Sequence, residues 1–148
     1  FDRIRFRLKR TGMHNTGAMR SELYDLGGML KGLGQYIFVG LDETFTSTNP
    51  EEGEALTYGL IRRLSSDPKV RGVITIHYPS LRDVLANSSI TGVKFSHFEF
   101  SRHNGEVVFS YKKHPGVNRQ GDYAIPIAEN QKISPAIIAY AKEHVRGK

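Results

Sequence analysis

The chain contains no cysteine. Disulfides, thiolate nucleophiles and cysteine-ligated zinc are therefore all excluded. Long hydrophobic runs are missing too: no apolar stretch is long enough to cross a bilayer as a helix, and no membrane association is expected. The sequence also lacks internal repeats, low-complexity tracts and a stretch with the make-up of a signal peptide, from which a cytoplasmic or nucleoid-associated location is expected. It begins with Phe1 and not Met, which leads us to expect a piece of something longer.

What is present is 148 residues, enough for one domain with a real core, and a single domain over 1–148 is expected. Hydrophobic residues make up 39% and charged residues 24%, the proportions of a soluble globular protein. The net charge of +6 favours a polyanionic partner such as nucleic acid, although Lys and Arg are spread along the chain.

"FDRIRFRLKR" alternates Ile4, Phe6 and Leu8 with Arg3, Arg5, Arg7 and Lys9, the period of a strand with one buried and one basic face. Such a face is either a solvated edge or a surface that tracks phosphates. The loop "TGMHNTGA" leads into a helix whose Met19, Leu23, Leu26, Leu30 and Leu33 share a face, with Gly27 and Gly28 marking close packing or a weak point. Tyr36 to Leu41 is a short apolar run, expected as a parallel strand covered on both faces. Asn49 then suits an N-cap, Pro50 the first helical position and Glu52 the reciprocal partner of a capping box, with Leu56, Leu60 and Leu64 facing inward.

"VRGVITIHY" reads as a second buried strand and "PSLRDVLAN" as a short helix opened by Pro79. Strand, helix, strand, helix is the rhythm of a parallel sheet. Asn104-Gly105 then signals a hairpin, with a bulge expected near Ser96 or His97. Two helices close the chain, the last capped by Ser134 and carrying Ile137, Ile138, Ala141 and Val145 on one side. His97, His103 and His114 gather around the hairpin without acidic or cysteine partners at ligand spacing, and read as surface residues.

The chemistry-bearing stretch is "YIFVGLDETFTST". Asp42 and Glu43 fall at the C-terminal edge of a parallel strand, where open α/β sheets bind ligands. One carboxylate there can hold the water shell of Mg2+, and its neighbour, pointing the other way, can take a proton from an attacking water. Taken alone, the pair reads sooner as a strand leaving the core through two solvated acids, because Asp-Glu pairs are common, and His77 sooner as a strand-end histidine meeting a carbonyl.

The ordered set "IFVGLDE", "TFTST", "NPEEGEAL" and "TIHY" resembles the Walker B strand, D-loop and switch-histidine region of an ABC-type ATPase. In closer detail it resembles the ATPase domain of the MutS family, through Asp42, Glu43, Thr46, Ser47, Thr48, Gly53, His77 and Tyr78. "FDRI", "ELYDLGGMLK", "GEVVFSYKKHPGVNRQGDYAIPIAE" and "ISPAIIAYAKEHV" extend the resemblance over almost the whole chain. It implies a partial P-loop nucleotide hydrolase fold, α/β, with parallel strands and helices followed by a β-hairpin and helices. It also implies that Asp42 binds Mg2+ through water, that Glu43 activates the hydrolytic water and that His77 contacts the γ-phosphate or holds that water. Asn15, Thr16, Gly17 and Ala18 take the place of the signature loop, where helix N-terminal amides suit phosphate, and Ser47 and Thr48 take the place of nucleotide-side loop residues.

In the family the signature loop acts on the nucleotide of the opposite subunit, so the resemblance implies a homo- or heterodimer, with DNA held by other domains. The chain departs from the pattern in "NTGAMR", in Ile76 before the histidine and in the longer "RQGDYA". No Gly-x-x-x-x-Gly-Lys-Ser/Thr loop occurs in these residues, so the chain alone is expected not to hydrolyse ATP. Two other readings stand beside this one: a different ABC-type chromosome or repair ATPase, and a non-enzymatic basic module that binds nucleic acid through Arg3, Arg5, Arg7 and Lys9.

Overall fold

A computed structural model describes residues 3–7, 17–31, 33–103, 106–118 and 123–146. They fall into two compact units, Phe1–Val93 and Lys94–Lys148. No helix among the described residues is long and apolar enough to cross a membrane.

The first unit is α/β. Strands β1 (Arg3–Arg7), β2 (Ile37–Leu41) and β3 (Val70–Ile74) form a parallel sheet in the order β1-β2-β3. The connections carry helices α1 (Gly17–Leu30) and α2 (Pro50–Ser65), and α3 (Pro79–Ala86) follows β3. The central strand β2 places Ile37, Val39 and Leu41 in one cluster with Leu26 of α1 and Leu60 and Leu64 of α2. Its other face is only half-buried, so the apolar run is not sealed on both sides as expected. Ile37 is 1% exposed. Ile37→Ala is expected to lower the unfolding free energy by about 2–5 kcal/mol, through lost burial plus the cavity left behind; chemical denaturation of both proteins measures it.

Several expected faces are corrected. Ile4 is 62% exposed, because β1 is an edge strand and the core is built over β2. On α1 the buried residues are Glu22 and Leu26, while Leu23 is exposed. On α2 they are Gly53, Thr57, Leu60, Ile61 and Leu64, while Leu56 faces out. Thr57 tolerates burial because its hydroxyl donates to the Gly53 carbonyl at 2.8 Å. A Cβ added at Gly27 or Gly28 meets nothing within 4 Å, which removes close packing as their reason. Asn49 caps α2 as expected, its side chain accepting from the Glu51 amide at 2.9 Å, but Glu52 accepts from the Thr48 hydroxyl instead of closing a capping box.

Asp67 ties the turn before β2 to the turn before β3. Its carboxylate accepts from the amides of Lys69 and Gly34, each at 3.0 Å. The Lys69 amide is the main influence holding this carboxyl below its ordinary value, helped by the Gly34 amide and the nearby Arg63 and Lys69 charges and opposed by desolvation. A depressed folded-state value stabilises above the unfolded pKa and is lost as pH falls through the folded one. Asp67→Asn is therefore expected to lose less of its urea midpoint than the parent between about pH 6 and about pH 3. An identical acid limb in both proteins contradicts this.

In the second unit, β4 (Ser96–His103) and β5 (Glu106–Pro115) pair antiparallel, as the hairpin signal predicts, although Asn104 and Gly105 themselves lie outside the described residues. The register shifts between Phe98 and Phe100, later than expected: Phe98 pairs with Lys113 but Phe100 with Phe109. The extra residues sit in β5, where Tyr111 is left-handed at φ 53° and absorbs the irregularity. Helices α4 (Ala124–Asn130) and α5 (Pro135–Arg146) follow, linked by an ion pair between Glu129 and Lys142. Phe100 packs edge-on against Tyr123 at 5.4 Å, and Phe109 against the same ring at 5.1 Å. On α5 only Ile138 of the four expected inward residues is fully buried; Ile137 and Val145 are exposed.

Candidate functional site

Asp42 and Glu43 follow β2 directly, at the C-terminal edge of the parallel sheet. β3 ends at Ile74, earlier than "TIHY" suggests, but the Thr75 amide still donates to the Leu41 carbonyl at 2.9 Å and prolongs the pairing by one bond. That bond sets the Thr75 side chain beside the acids. Its hydroxyl donates to Asp42 Oδ1 at 2.7 Å and accepts from the Glu43 amide at 2.9 Å. Glu43 itself is left-handed at φ 42°, so the alternation expected to send its side chain opposite to Asp42 is broken by a turn.

His77 joins the same cluster. Its Nδ1 lies 3.8 Å from Glu43 Oε1, with the histidine side chain 77% exposed and the glutamate 30%. A contact this open adds at most about 1 kcal/mol to stability even where the imidazole carries a proton. The geometry is that of side chains available to something outside the chain: a carboxylate at a strand tip, a second carboxylate one residue on, and an imidazole within reach of it.

The loop after Glu43 is held from three sides. Phe45 is left-handed at φ 62° and 4% exposed, its ring in the core cluster. Its amide donates to Glu22 Oε1 at 2.8 Å, and its carbonyl accepts from the Tyr78 hydroxyl at 2.8 Å. Thr46 Oγ1 reaches back to the Glu43 carbonyl at 3.4 Å. Ser47 Oγ donates to Glu22 Oε2 at 3.5 Å, and Thr48 turns to Glu52 on α2 at 3.3 Å. The structure thus ties Ser47 and Thr48 to α1 and α2, not to Asp42. Gly53 has a steric reason: a Cβ there would lie 2.3 Å from the Tyr78 hydroxyl and 2.6 Å from the Phe45 carbonyl oxygen.

Asn15 and Thr16 lie outside the described residues. Gly17 and Ala18 are the first two residues of α1, and the bonds that join Asp42, Glu43, Thr75 and His77 do not include them. Sequence reasoning missed Thr75 and Glu22. The signal for Thr75 was one hydroxyl two residues before His77 at the end of an apolar strand; for Glu22 it was a carboxylate interrupting the apolar stripe of α1.

Among the described residues no group of three or more His, Cys, Asp or Glu side chains could hold a metal ion. Such a set is not required for Mg2+, which keeps several waters and binds through one or two carboxylates plus phosphate oxygens. Asp42 fits that pattern: Oδ1 accepts from Thr75, and the carboxylate retains further lone pairs. At the hairpin, His97 and His114 face each other across the strands with ring centroids 6.0 Å apart. His114 Nε2 also lies 3.3 Å from Glu99 Oε2, so this histidine has the acidic neighbour that its spacing in sequence did not reveal.

The family model for MutS domain V matches residues 2–147. Curated relatives include MutS protein homolog 4 of Homo sapiens, 24% identical over 135 residues that cover 87% of this chain and 14% of the relative. DNA mismatch repair protein MSH3 of Vanderwaltozyma polyspora is 26% identical over 151 residues, 95% of this chain and 14% of its own. MutS protein homolog 4 of Mus musculus is 23% identical over 135 residues, again 87% and 14%. The chain therefore spans about one seventh of the length of the curated relatives it matches. With a family match over nearly its whole length, the chain belongs to the MutS domain V family.

Proposed function

We propose that this chain forms the Walker B side of the ATP-hydrolysing site of a MutS-type DNA mismatch repair ATPase. The observation that carries the reading is the convergence of Asp42, Glu43 and His77, drawn together through Thr75 and the turn at Glu43. Asp42 holds the water shell of Mg2+, and the ion, when bound, supplies charge neutralisation at the phosphate oxygens. Glu43 accepts the proton of the attacking water, and His77, 3.8 Å away, orients that water or meets the γ-phosphate. The N-terminus of α1, with Gly17 and Ala18, takes the signature role toward the nucleotide of a second subunit, and Ser47 and Thr48 shape the loop on that side. The partners of the reading are DNA, held by other domains, and a second MutS-type subunit.

The sequence has no phosphate-binding glycine-lysine loop, the motif whose amides and lysine cradle β- and γ-phosphates. Hydrolysis is therefore expected only when this chain is joined to a segment bearing that loop. Measuring Mg2+-dependent ATP turnover of the chain alone and of the joined protein tests this. Turnover by the chain alone that is abolished by Glu43→Gln contradicts it. The alternative of a basic nucleic-acid module draws on exposed Arg3 and Arg5 of the edge strand β1. DNA binding lost on replacing the β1 arginines, with no effect of Asp42→Ala on any activity, favours that alternative.

A further inference from the structure

Thr75 touches the Asp42 carboxylate and the Glu43 backbone at once. A hydroxyl has one proton to donate and lone pairs to accept, and here the proton goes to Asp42 Oδ1 at 2.7 Å while a lone pair takes the Glu43 amide at 2.9 Å. The first bond fixes how the Asp42 carboxylate is turned. The second holds the left-handed turn at Glu43, a conformation that a residue with a Cβ adopts only when its surroundings impose it. Thr75 is itself fixed, its amide donating to Leu41 at the end of the central strand.

We propose that Thr75 is a positioning residue of the hydrolytic site: its hydroxyl sets the metal-facing carboxylate of Asp42 and the backbone that aims Glu43 toward His77. The inference rests on the ATPase reading above. Thr75 touches neither phosphate nor water in this scheme; it acts through the two acids. A hydroxyl that merely finishes β3 would affect stability and leave turnover of the folded protein alone.

The test uses the protein in which this chain is joined to a phosphate-loop segment. Thr75→Val keeps the shape and removes both bonds; it is expected to lower kcat about 10- to 100-fold and to raise the Mg2+ needed for half-maximal rate, with KM for ATP changed less than about threefold. Thr75→Ser, which keeps the hydroxyl, is expected to return kcat to within about threefold of the parent. Thr57→Val, which removes the buried hydroxyl bonded to Gly53, is the stability control and lowers Tm without moving kcat. If Glu43→Gln abolishes turnover while Thr75→Val leaves kcat and Mg2+ dependence unchanged, the positioning role is overturned and the ATPase reading stands. If turnover ignores Glu43→Gln, both fall. Amide hydrogen exchange at Glu43 gives a readout independent of catalysis: exchange about tenfold faster or more in Thr75→Ala than in Thr75→Ser supports the bond, and equal exchange overturns it.

Discussion

Glu43→Gln is expected to cut ATP turnover by about 10²- to 10⁴-fold in the protein carrying this chain and a phosphate loop, with ATP still bound at close to the parent affinity. The amide is nearly isosteric with the carboxylate, so the turn held by Thr75 and the approach of His77 survive, while the group able to take a proton from water is lost. The split between rate and binding is the informative part. Asp42→Asn should behave differently, raising the Mg2+ requirement first, because in the proposed scheme its carboxylate serves the ion's water shell and not the proton. Equal effects of the two substitutions on both quantities would show that the acids do not divide the work.

The second large effect is structural. Gly53→Ala improves helix propensity by about 1 kcal/mol, yet the added Cβ would lie 2.6 Å from the Phe45 carbonyl oxygen and 2.3 Å from the Tyr78 hydroxyl. One of these neighbours is backbone, and the other holds that same backbone by a 2.8 Å hydrogen bond, so neither yields freely. We expect a net loss of about 1–3 kcal/mol by denaturant unfolding. Removing the hydroxyl with Tyr78→Phe should make the further change Gly53→Ala cheaper without making it free, since the clash with the Phe45 carbonyl remains. A stabilising Gly53→Ala would mean that the loop from Thr44 to Thr48 is looser than the Glu22 and Tyr78 bonds imply.

These bonds also explain what the sequence revealed and what it hid. The apolar run ending in Asp42-Glu43, the Asn49-Pro50 start of α2 and the hairpin strands were legible because each rests on local chemistry: burial period, a cap, a turn signal. The convergence of His77 on Glu43 was legible only through resemblance, because the two lie on separate loops. The inward faces of α1 and α2 were misjudged in the same way twice. Glu22 and Thr57 took buried places from Leu23 and Leu56 because each satisfies its polar atoms internally, Glu22 on the Phe45 amide and Thr57 on the Gly53 carbonyl. Hydrophobic periodicity cannot register a polar residue whose partner is a distant backbone group. The hairpin bulge was displaced for a related reason: Tyr111 absorbs it by a left-handed φ that its residue type does not advertise.

The most direct test of the central claim is a double-mutant cycle on ATP turnover, combining Glu43→Gln with His77→Ala in the protein that carries the phosphate loop. If the two side chains serve one water at one site, the double variant should be about as slow as Glu43→Gln alone, the non-additivity of groups that act as a unit. Losses that multiply independently would contradict that account, and would place His77 outside the hydrolytic site despite its 3.8 Å approach to Glu43.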